Sequence, residues 1–73
     1  MMKPEQIRAA RAWLNWRRDD IAQAARLWLE TIKVLEGKRD QDINGPETLA
    51  KLTAAFARHG VGFTKQGGIA PIH

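Results

Sequence analysis

Between Arg18 and Glu36 two short runs of helical apolar spacing follow each other with almost no slack between them. The first, from about Arg18 to Ala25, turns Ile21, Ala24 and Ala25 to one side. It carries Asp19 and Asp20 in its first turn, where carboxylates suit the positive end of a helix. The second, from about Trp28 to Glu36, offers Leu27, Thr31, Ile32 and Leu35 as inward residues. Ala22, Ala24 and Ala25 are small enough to let a crossing helix come close. Two amphipathic helices joined this tightly must fold back on one another, so about Arg17 to Glu36 is expected to form a helix-turn-helix.

The flanking segments supply the rest of a core. Pro4 suits a first helical position, and Ile7, Ala10 and Leu14 recur at helical spacing with Trp13 beside them. Asn15 then marks the helix end, because Asn tolerates the left-handed backbone found there. Trp16 is expected to plug the core. Gly37 to Gly45 is a polar loop, after which Pro46 starts a further helix with Leu49, Leu52 and Phe56 on one stripe and Gly60 as its stop. The expected fold is all-α, with four to five helices over residues 1–60. Residues 61–73 form an extended segment whose Gly67-Gly68 pair suits a turn. That segment reads as a short strand or hairpin, or as a tail. Its apolar Val61, Phe63, Ile69 and Ile72 either cover the core or pair with a second copy across a two-fold axis.

Composition narrows the function classes. The chain has 73 residues and no Cys, so neither disulfides nor thiolate metal sites enter. Ser and Tyr are also missing, and His59 and His73 lack metal-ligand spacing to a partner. An enzyme, a cofactor and a metal are therefore not expected. No apolar run reaches the length of a membrane span, and a cytoplasmic location is the default expectation. The formal net charge is +4, and the whole excess lies in residues 1–39. A polyanionic partner fits that asymmetry, although a modest surplus also serves solubility.

Several segments in order resemble the small lambda-repressor-like (XRE or Cro-type) DNA-binding family. They are Pro4-Glu5-Gln6-Ile7-Arg8-Ala9-Ala10-Arg11, Leu14-Asn15-Trp16, Asp20-Ile21-Ala22-Gln23-Ala24-Ala25, Thr31-Ile32-Lys33-Val34-Leu35-Glu36, Pro46-Glu47-Thr48-Leu49-Ala50-Lys51-Leu52 and Gly60-Val61-Gly62-Phe63. The resemblance implies a lambda-repressor-like bundle that acts on double-stranded DNA as a homodimer regulating transcription. It implies an ion pair between Arg11 and Glu36, with Arg11 near a phosphate. Phosphate contacts are implied for Arg17 and Arg18 at the start of the second helix, and for Lys38, Arg39 and Asn44 in the loop. The recognition helix would present Leu29 to a thymine methyl, Glu30 to cytosine and Lys33 to guanine or phosphate.

The turn departs from the family pattern. Arg26 stands where Gly is usual, so a changed turn geometry is expected, and Trp28 stands where a Ser or Thr cap is usual. Trp28 and Leu29 together open a second reading, a patch for a protein partner in an antiactivator or accessory regulator. A third is that both complete the core.

Overall fold

The computed structural model describes residues 2–37 and 45–72. Four helices are followed by one hairpin: α1 (Pro4–Trp13), α2 (Arg18–Ala25), α3 (Leu29–Gly37), α4 (Pro46–Arg58), β1 (Val61–Phe63) and β2 (Ile69–Pro71). The chain is thus mostly helical, and the extended segment resolves into antiparallel strands with Val61 opposite Pro71 and Phe63 opposite Ile69. No helix among the described residues is long and apolar enough to cross a membrane.

Each helix contributes to one core through its helical-spaced apolar residues. Ile7, Ile21, Ile32, Leu52 and Phe56 are fully enclosed, and Val61 of β1 joins them. α2 packs on both α3 and α4, as its buried Ala22 and Ala25 allow, while α1 lies against α3 and β2. Trp16 is only half-buried; it stacks on Phe56 with ring centroids 5.9 Å apart and meets His59 edge-on at 4.6 Å. Trp13, at the border of the apolar stripe, turns outward instead of joining the core.

Two helices end in the same way. Asn15 has φ 56° and Arg26 has φ 57°, both left-handed. After each, the next amide bonds back across the last turn, Trp16 N to Arg11 O at 2.8 Å and Leu27 N to Ala22 O at 2.9 Å. The turn expected to change because of Arg26 therefore keeps the left-handed geometry. Core packing of Leu27 and the two recovered carbonyl bonds hold the arginine where glycine would sit more easily. Arg26→Gly is expected to stabilise the chain by about 0.5 kcal/mol, relief of left-handed strain outweighing the extra freedom of unfolded glycine. A higher urea midpoint at unchanged slope would register it; an equal or lower midpoint would contradict a strained turn.

The hairpin is anchored by a buried amide. Gln6 is enclosed in α1, and its Oε1 accepts from the Lys3 amide at 2.8 Å. Its Nε2 donates to the carbonyls of Gly68 at 3.0 Å and Thr64 at 3.5 Å. Gln6 thus ties the first turn of α1 to the β1–β2 connection, consistent with the rule that a buried amide must be hydrogen-bonded. Within the hairpin, the Ile72 side chain lies over Gly62, so a Cβ there would meet it at 2.9 Å and the isoleucine would have to shift.

Candidate functional site

Helical periodicity and burial divide α3 into two faces. Ile32, Leu35 and Glu36 point inward, while Glu30, Lys33, Val34 and Gly37 form an exposed stripe at positions i, i+3, i+4 and i+7. Glu30 and Lys33 stand on this stripe as expected, and they pair with each other at 3.4 Å. Such an exposed pair is weakly held and separates readily before another partner. Leu29 is half-buried and packs against the core. Val34, 61% exposed, is the member of the stripe that sequence reasoning passed over. Its position four residues after Glu30 and one after Lys33 was the available signal.

Trp28 precedes α3, and its carbonyl accepts the amide of Ile32 at 3.2 Å. The indole is 82% exposed, so Trp28 does not complete the core; of that pair only Leu29 reaches it. That carbonyl bond is the one every helix start makes, and the indole, a donor only, supplies none of the side-chain capping that a Ser or Thr gives.

The rear of α3 is fixed by charge. The Glu36 side chain is fully buried, and Oε1 accepts from Arg11 Nη2 at 3.0 Å. Arg18 Nε lies 3.5 Å from the same oxygen. Arg8 Nη1 donates to the Glu36 carbonyl at 2.6 Å, and Arg11 Nη1 donates to the Trp16 carbonyl at 3.4 Å. Three arginines from α1 and α2 thereby grip the C-terminal turn of α3, where cations also suit the helix dipole. Glu36 Oε2 and Arg11 Nε are enclosed without a hydrogen-bond partner among the described residues. The expected Arg11–Glu36 pair is formed, and Arg18 joins it.

The remaining cations are distributed unevenly. Arg17 is exposed at the start of α2, where its amide donates to Asp20 Oδ2 at 2.8 Å and leaves the guanidinium facing solvent. Lys38, Arg39 and Asn44, expected as phosphate contacts, lie outside the described residues. Among the described residues no cluster of His, Cys, Asp and Glu could hold a metal ion. Comparison with protein-family models, with curated proteins and with solved structures finds no match to this chain. The site is therefore defined by its own geometry: a two-residue connection between α2 and Trp28, an exposed α3 stripe, and arginines behind and beside it.

Proposed function

We propose that the chain is a sequence-specific DNA-binding regulator of the lambda-repressor-like kind, acting as a dimer on a palindromic operator. The observation that carries the reading is the outward stripe of α3 behind a tight α2–α3 turn. A helix held by its rear face and exposed along the other is the form that enters a major groove. Lys33 and Glu30 would exchange their mutual contact for base edges, with Val34 against a thymine methyl. Arg17 at the start of α2 would hold a phosphate, joined by Lys38 and Arg39 and by whatever share of Arg18 the Glu36 carboxylate releases.

The dimer contact in this reading runs along the hairpin. Pro71 supplies no amide to the outer edge of β2, so backbone pairing there is weakened and the exposed Ile72 would carry much of the contact. Two subunits would place their α3 helices about 34 Å apart, one turn of DNA.

Selection of bound fragments from random duplexes tests the reading, with footprint symmetry reporting stoichiometry. Binding to a selected operator is expected to fall with salt at a log–log slope of roughly −5 to −7. Arg17→Ala should weaken all duplexes alike, while Lys33→Ala should change the preference among them. Equal affinity for every duplex, or binding insensitive to salt, would sink operator recognition.

Trp28 favours a second reading, in which this end of α3 docks on a protein. An indole this exposed is costly to leave in water and typical of an interface anchor. Absence of duplex binding, together with loss of a protein partner on Trp28→Ala, would support it over the first.

A further inference from the structure

An open groove of about 610 Å³ lies between the C-terminal end of α2 and the outer side of α4, apart from the α3 stripe. Its walls are small, with Ala24 and Ala25 on one side and Ala50 and Ala54 on the other. Ala50 and Ala54 sit on the exposed face of α4, where a solvated helix would ordinarily carry polar residues. Three cations line the same groove: Arg26, Lys51 and Arg58. No carboxylate is among the lining residues, and Lys51 pairs with the exposed Glu47 at 3.4 Å. Arg58 is held in place by donating to the Ala24 carbonyl at 2.8 Å, and the left-handed turn fixes the backbone from which Arg26 extends.

We propose that this groove receives an acidic helix of a partner protein, packed through small side chains against the alanines and paired through Asp or Glu with the cationic rim. Alanine on both walls lets a helix backbone approach closely, where dispersion contact rises steeply. The rim selects the sign of the partner. A second copy of this chain, with its net charge of +4, would bring like charges together, so the occupant is a different and acidic polypeptide. Arg26, Lys51, Arg58 and the Gln23 carboxamide can also meet phosphates. What favours a helix over a duplex is the pair of alanine walls, which give a phosphate backbone nothing to bond. The main-chain groups at this end of α2 are carbonyls.

The test is an NMR titration of the full chain with a synthetic helical peptide of about 15 residues, alanine on one face and glutamate flanking it. Two controls accompany it, the same composition scrambled and the same pattern with lysine for glutamate. Saturable shifts confined to Gln23–Arg26 and Ala50–Arg58 are expected for the acidic amphipathic peptide alone. Lys51→Glu should weaken it about five- to tenfold. Ala54→Phe, at an exposed site that leaves the core untouched, should fill the groove and abolish the shifts. Equal binding of the scrambled peptide, shifts centred on α3, or no effect of either substitution would overturn the proposal. So would movement of these groove resonances by a random duplex in place of the peptide. Operator selection reads a different surface, so either reading can fail without the other.

Discussion

Arg11→Met is expected to destabilise the chain by about 3–5 kcal/mol, the usual consequence of stranding a buried charge. The Glu36 side chain is fully enclosed, and Arg11 is its closest partner at 3.0 Å. Arg18 remains at 3.5 Å but is half-exposed and reaches the same oxygen, leaving Oε2 still unmatched. A chain of this size is ordinarily stable by roughly 4–11 kcal/mol, so the loss takes much of the margin. The double variant Arg11→Met/Glu36→Leu should recover most of it, because an apolar pair of similar volume removes the uncompensated charge. Urea unfolding of the four members of the cycle measures this. Additive losses in the double variant would show that the two residues do not act as a pair.

Phe56→Ala should cost about 3–5 kcal/mol through the cavity it leaves. Phe56 is fully buried, stacks on Trp16 after α1, and meets Phe63 of β1 edge-on at 5.5 Å. Its ring touches both the α1–α2 connection, at Trp16, and the hairpin, at Phe63. Calorimetry should show a steep fall in melting temperature, with loss of slow amide exchange in β1 and β2. A fall with hairpin protection intact would place the anchoring of the strands elsewhere, at Gln6.

The helices were legible because each repeats its apolar residues at a spacing only one conformation can use. Ile7, Ile21, Ile32, Leu52 and Phe56 stand where that spacing puts them. Asn15 announced its own left-handed turn by residue type. Arg26 did not, since that turn is imposed by what Leu27 buries rather than by any preference of arginine. Burial of Gln6 was hidden for the same reason: its partners, Gly68 and Thr64, lie at the other end of the chain. In the candidate site, the pairing of Arg11 with Glu36 was foreseen through family resemblance. Recruitment of Arg18 was not, because it depends on how α2 crosses behind α3. Val34 was legible from its spacing to Glu30 and Lys33, whereas the sequence left Trp28 open between surface and core, and its exposure decides that.

The amide of Gln6 also bears on the order in which the molecule can form. Its acceptor at Gly68 is synthesised 62 residues later. As the polypeptide emerges, Gln6 Oε1 can take the Lys3 amide locally, but Nε2 keeps water as its partner until Thr64 and Gly68 arrive. Closing that span costs roughly 3–4 kcal/mol in chain entropy, which must be offset by contacts made in the same event. α1 is thus expected to settle late, after the hairpin has left the ribosome. A translation-arrested chain ending before Gly68 should then lack protection at Gln6 even if α2 and α3 have already paired.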